Sequence, residues 1–167
     1  MEHVHNSRFS RSEQRTAHAS GPLCFMIYWH TMIGIVFIVG LAIGSFLNAY
    51  IWRLHTEESI WRGRSYCPKC KKTLRWYELI PLLSFFAQLG RCRGCKQGID
   101  WQYPLVELVT ALLFALSFFL IKQAGLEPLW REDFAIVVSW YLLSVLIVLF
   151  VYDLRYGRVP DEVVLPA

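Results

Sequence analysis

Long apolar runs separated by polar stretches dominate the pattern of this chain. Residues 31–51, TMIGIVFIVGLAIGSFLNAYI, carry no formal charge over twenty-one positions, enough for a helix to cross a hydrocarbon core of about 30 Å. Residues 105–121, LVELVTALLFALSFFLI, run for seventeen positions with one acid, Glu107, near their start; residues 134–152, FAIVVSWYLLSVLIVLFVY, run for nineteen with none. The apolar residues are lumped into these runs instead of being spaced around a soluble core. Tyr28, Trp29, Tyr50, Trp52, Trp101, Tyr103, Trp130 and Tyr152 gather at the run ends, where amphipathic rings favour the headgroup region. The pattern predicts an all-α membrane protein with transmembrane helices at 31–51, 105–121 and 134–152 and a polar loop, 53–103, between the first two. Run length argues against the competing reading, helices buried in a large soluble core.

A shorter apolar run, residues 79–89, is interrupted by Pro81. Eleven residues cannot span, so this run is expected to lie in the interface or to dip into the bilayer. Residues 1–22 are polar and lack the layout of a secretory signal. They are expected to be a disordered extension, with Met26 or Met32 as alternative starts. No internal repeat is evident.

Composition sharpens the picture: 55% of residues are hydrophobic and 18% charged, against about 25% charged in ordinary soluble domains. A disordered chain or a nucleic-acid-tail protein is excluded, and no nucleic-acid partner is expected. The formal net charge of +4 is unevenly placed, because ten of the seventeen Lys and Arg lie between Arg53 and Lys96, while Lys122 and Arg131 alone lie between the second and third runs. Basic loops are retained on the cytoplasmic side. Loop 53–103 and the end of the third run at Asp153 are therefore expected in the cytoplasm, with the N-terminus outside; Arg8, Arg11 and Arg15 argue weakly the other way.

Four of the five cysteines form two pairs, Cys67-Pro-Lys-Cys70 and Cys92-Arg-Gly-Cys95, with twenty-one residues between them. Two such knuckles can close a tetrahedron of thiolates around one zinc ion at roughly 2.3 Å per bond. A sphere filled by four protein ligands leaves no position for water, so the metal would be structural, folding a loop that lacks a core. Lysines and arginines around the pairs offset the thiolate charge. Disulfides within each pair require the opposite topology, and no βαβ pattern supports thioredoxin-like redox chemistry. Cys24 stands alone and reads as an apolar filler.

Asp153 follows the third run directly; Gly157 and Pro160 then end regular structure before Asp161. An ionisable group at the membrane is a candidate functional residue, although position alone equally suits a marker of the water boundary, with Arg155 and Arg158 as ion-pair partners or anchors. Aspartate-driven peptide hydrolysis needs two carboxylates sharing a proton. Asp161 is near in sequence but undetermined in direction. Glu107 can face the same level, and a structural role with polar groups such as Asn48 suits it as well.

Gly44-Ser-Phe-Leu-Asn48 followed by Arg53-Leu54, the two cysteine pairs, Tyr103-Pro-Leu-Val-Glu107-Leu108 and Asp153-x6-Pro160-Asp161 stand in the order seen in bacterial type IV prepilin peptidases, also called leader peptidase/N-methyltransferases. Over about residues 34–167 the chain resembles that family. The resemblance implies an intramembrane aspartic endopeptidase of the inner membrane. Such an enzyme removes the basic leader of type IV prepilins or type II secretion pseudopilins, and many members then methylate the new N-terminus with S-adenosylmethionine. By motif, Asp153 matches the first catalytic aspartate and Asp161 the second acid of the same motif, which is not the catalytic partner. Cys67, Cys70, Cys92 and Cys95 match the metal cysteines, and Gly90 lies in the loop associated with methyl transfer. No Rossmann-type glycine-rich loop accompanies it.

The family's second catalytic aspartate belongs to a Gly-x-Gly-Asp motif on a later span, which these 167 residues do not contain. The expectation is therefore an N-terminal portion of such an enzyme, with 153–167 beginning a truncated peptidase region from a truncated gene, a partial assembly or a split protein. Another chain would then supply the second aspartate. The alternatives are a non-catalytic membrane zinc module that docks a cytoplasmic partner or anionic lipid, and a methyltransferase remnant.

Overall fold

The computed structural model describes residues 11–59, 63–125 and 129–157, with side chains from Cys24 onward apart from Phe25. Its helices are α1 (Arg11–Thr56), a short α2 (Leu83–Ala87), α3 (Gln102–Ala124) and α4 (Leu129–Tyr156), with a 3-10 turn at Trp76–Leu79. Three stretches are long and apolar enough to cross a membrane, Met26–Thr56, Gln102–Ala124 and Trp130–Tyr156. They contain the three predicted spans and extend each by several residues into the aromatic and polar flanks, because a helix does not stop at the edge of hydrocarbon. α1 begins at Arg11, inside the segment expected to be a disordered extension. Glu13, Gln14, Arg15, Ala17 and Ala19 there are favourable helix formers.

The three long helices run up, down and up. Close contact of α1 with α3 is the backbone of the bundle, and two glycines permit it. A β-carbon on Gly40 would stand 2.6 Å from Ala111 Cα, and one on Gly44 would stand 2.7 Å from Glu107 Cα. In lipid, where apolar side chains gain little by leaving their surroundings, such small-xxx-small backbone approach drives helix association. Ala111, Thr110 and Phe114 on the facing side of α3 are fully buried. The Thr110 hydroxyl donates to Val106 O at 2.7 Å, which removes its polar atom from the seam.

α4 joins through α3. Phe114 and Trp140 stack with centroids 4.9 Å apart, and the Trp140 indole N–H donates to Ser117 Oγ at 3.1 Å. At one end of the bundle Lys122 pairs with Glu132 at 2.6 Å. Nearer the opposite end, Leu47, Ile51, Val106, Ile147 and Val148 make the core in which all three helices meet. The cysteine loop is held at this latter end, where α1 finishes, α3 begins and α4 finishes.

Candidate metal centre and the helix ends beside it

Each cysteine pair sits on a knuckle built from the same backbone bonds. In the first, Cys67 N–H donates to Lys72 O (2.9 Å), Lys71 N–H to Cys67 O (2.9 Å) and Leu74 N–H to Ser65 O (2.8 Å). In the second, Cys92 N–H donates to Gln97 O (2.8 Å), Lys96 N–H to Cys92 O (2.9 Å) and Ile99 N–H to Gly90 O (2.7 Å). Antiparallel bridges Tyr66–Thr73 and Arg91–Gly98 close the two loops. Lys71 and Lys96 both take positive φ, 57° and 60°, to turn the chain after the second cysteine.

The knuckles are thus an internal repeat at an offset of twenty-five residues. Cys-x2-Cys-Lys-x2-Leu-x-Trp at 67–76 matches Cys-x2-Cys-Lys-x2-Ile-x-Trp at 92–101. This corrects the expectation that the chain has no repeat. The shared Lys, apolar and Trp positions carry the signal, and attention to cysteine spacing alone passes over it.

The repeat brings the sulfurs together across the pseudo-symmetric pair. Cys67 Sγ lies 3.9 Å from Cys95 Sγ, and Cys70 Sγ 4.0 Å from Cys92 Sγ. All four ligand atoms lie within 4.8 Å of one another. Bonds of 2.3 Å in a tetrahedron require sulfurs about 3.8 Å apart, so the donor set fits a single tetrahedral ion. All four thiols are free in this structure, whereas a disulfide would need two sulfurs about 2.05 Å apart.

The thiols differ in their surroundings. Burial pushes Cys67 up to about 11. Backbone amides of Cys95 and Gly94, the latter 3.3 Å from the sulfur, bring Cys92 down to about 6. Beneath the first knuckle Glu78 is buried, accepting from Arg75 N–H at 2.8 Å and pairing with Lys72 at 3.4 Å. The Arg75 amide above all, followed by the Lys72 charge, holds its carboxyl below the usual carboxylate range.

Between the knuckles the 3-10 turn ends at Leu79, and the rest of the 79–89 run forms a kink at Leu82 and then α2. Glu107, one of the buried acids, accepts from Leu82 N–H at 2.8 Å, and Phe85 packs edge-on against Trp101 with centroids 4.9 Å apart. Asn48 donates to Tyr103 O at 3.0 Å instead of to Glu107. Among the described residues its Oδ1 is buried without a partner. Gly90, at φ 65°, closes the base of the second knuckle; a β-carbon there would meet Phe85 at 3.1 Å.

Asp153 lies exposed on the last turn of α4. Its carbonyl accepts from Gly157 N–H at 2.8 Å, and no salt bridge among the described residues involves its carboxylate. Arg155, one of its suggested partners, instead reaches the end of the second knuckle, pairing with Asp100 at 2.9 Å and donating to Gln102. Tyr156 stacks on His55 with centroids 3.7 Å apart. Arg158, Pro160 and Asp161 lie outside the described residues. Asp153, the ends of α1 and α4 and the four-cysteine loop therefore share one end of the bundle, through contacts such as Asp100–Arg155 that local sequence does not signal.

A family model described as the bacterial peptidase A24 N-terminal domain matches residues 38–121, half of the chain. A prepilin leader peptidase/N-methyltransferase of Myxococcus xanthus is 43% identical over 131 residues, 78% of this chain and 36% of its own length. One of Bacillus subtilis is 39% identical over 135 residues, covering 80% and 50%. A type 4 prepilin-like proteins leader peptide-processing enzyme of Escherichia coli is 36% identical over 155 residues, covering 82% and 54%. The chain spans between about a third and about a half of the length of these curated relatives. No solved structure matches.

Proposed function

Because the chain belongs to the family of the bacterial peptidase A24 N-terminal domain and is similar to prepilin leader peptidase/N-methyltransferases, we propose that it is the N-terminal part of an intramembrane aspartic peptidase. Its substrates would be the leaders of type IV prepilins or pseudopilins. The observation that carries the reading is the exposed Asp153 carboxylate at the membrane end shared with the four-cysteine loop. With ten basic residues between Arg53 and Lys96, this end belongs on the cytoplasmic side of the inner membrane.

Asp153 would work with a second carboxylate supplied from outside the described residues or by another chain. Of two aspartates sharing one proton, the ionised one takes a proton from water as that water attacks the scissile carbonyl carbon. The other donates its proton to the carbonyl oxygen. Cys67, Cys70, Cys92 and Cys95 would hold zinc, which folds the loop and takes no part in hydrolysis. S-adenosylmethionine would serve the N-methylation that the relatives' names state, and no residue of this chain is assigned to it. No methyl-transfer step follows from this arrangement.

The test is prepilin cleavage by membranes holding the 167-residue chain, and by a relative of full length, each compared with its Asp153→Asn form or the equivalent aspartate change. Loss of cleavage in the longer enzyme, with its folding retained, is expected. Cleavage that survives the substitution removes Asp153 from the reaction. Cleavage by the 167-residue chain that disappears with Asp153→Asn points to a second carboxylate from outside the described residues or from another chain.

A further inference from the structure

The edge of the cysteine loop carries a surface that neither the metal nor the peptidase reading uses. Leu83, Phe86 and Leu89 are 67%, 59% and 86% exposed. Leu83 and Phe86 are one turn apart on α2 and so lie on one face. Phe86 and Leu89 line one depression with Arg91, and Leu89 lines a second, of about 880 Å³, with Arg91, Arg93 and Lys96. Apolar edge and cations are therefore contiguous. All three cations are exposed.

The loop's attachment fixes the level of this edge. Leu82, next to Leu83, is bonded to Glu107, and Glu107 is five residues along α3 from Gln102, a rise of about 7.5 Å. Phe85, the buried residue of α2, packs on Trp101 just before that helix begins. The exposed edge is thus tied to the depth at which a membrane-crossing helix enters its bilayer. At that depth apolar side chains meet acyl chains and neighbouring cations meet phosphates.

We infer that Leu83, Phe86 and Leu89 insert into the bilayer that α3 crosses, and that Arg91 and Lys96 beside them bind the headgroups of anionic phospholipids. The occupant is lipid because the surface pairs an apolar edge with a basic rim at the membrane boundary, where the complement is an acyl layer with a negative surface. Arg93 contributes less, since its guanidinium already lies over the Tyr77 ring at 5.2 Å. The inference stands independently of any peptidase activity.

The experiment replaces Leu89 with photoreactive benzoyl-phenylalanine in the whole chain, loaded with zinc. The protein is placed in nanodiscs of equal parts phosphatidylcholine and phosphatidylglycerol, and adducts are identified by mass. Leu146, exposed on α4, serves as the reference position. The expected result at Leu89 is lipid adducts favouring phosphatidylglycerol about fivefold over those at Leu146. The preference should disappear in Arg91→Gln/Lys96→Gln and return in Arg91→Lys with Lys96 intact, at unchanged zinc content. Adducts to a second copy of the chain, lipid adducts without headgroup preference, or no lipid adduct at Leu89 while Leu146 labels each overturn the inference.

Discussion

At Gly44 a single β-carbon would lie 2.7 Å from Glu107 Cα, whereas at Gly34, ten residues earlier on α1, it would meet nothing within 4 Å. Gly44→Ala must therefore push α1 away from α3, at a cost of about 1–3 kcal/mol for overpacking. Gly34→Ala gains up to about 1 kcal/mol by removing helix-interior glycine flexibility. Thermal unfolding in detergent should show the first variant less stable than the parent and the second as stable or more so; equal effects would contradict the close approach. Glu78 gives a pH-dependent counterpart in the loop. Its carboxyl is depressed in the fold, so its contribution is fully present above the unfolded carboxylate value of about 4.3 and is lost as pH falls through the lower folded value. Glu78→Gln should be less stable than the parent at neutral pH, with the difference closing below pH of about 4.3. A gap that stays constant through acid titration would remove the charged form from the account. Gly44 stood in the sequence as part of a motif, but its partner did not, because an apolar run does not say which of its faces meets another helix.

Among the elements, the knuckles and the long helices depend on different physics. The helices satisfy their backbone groups internally and are apolar all round, so they need no ligand. The knuckles consist of turns, two isolated bridges and a handful of backbone bonds, too little to order twenty residues without a metal. Removal of metal by a strong chelator should thus release the amides of Cys67, Lys71, Cys92 and Lys96 to rapid hydrogen exchange while the centres of α1 and α3 stay protected. Cys92→Ser should do the same without a chelator. Loss of protection throughout the helices would mean that the metal holds the bundle and not the loop alone. The spans were legible because length and lack of charge suffice to specify them, and the cysteine pairs because the spacing of thiolate ligands is narrow. The repeat needed a comparison of Lys71 with Lys96, Leu74 with Ile99 and Trp76 with Trp101, residues whose types carry little information singly. Pro81 marked the break in the 79–89 run, but its place at Leu82 and the short α2 beyond it were hidden for another reason: Glu107, which bonds the kink, is twenty-five residues away in the chain.

In the molecule as a whole, two of the ties between loop and bundle bear on the end where Asp153 lies. One is Glu107 to the Leu82 amide; the other is Asp100 to Arg155, two residues beyond Asp153. The Asp100–Arg155 pair is partly exposed, so its direct worth to stability is about 0–1 kcal/mol, and its consequence is positional. Asp100 directly follows the last knuckle bond at Ile99, which makes its place depend on the folded loop. Loss of metal should therefore loosen the last turn of α4, measured as faster exchange of the Arg155, Tyr156 and Gly157 amides. In Asp100→Asn those amides should start faster and change little on chelation, because the ionic tie is already gone. If chelation affects that turn equally in both proteins, the connection runs instead through Tyr156 stacked on His55, and His55→Ala becomes the variant that should uncouple it. Either route makes the position of the Asp153 carboxylate a property of the folded cysteine loop, a dependence invisible in a sequence where Asp100 and Arg155 stand fifty-five residues apart.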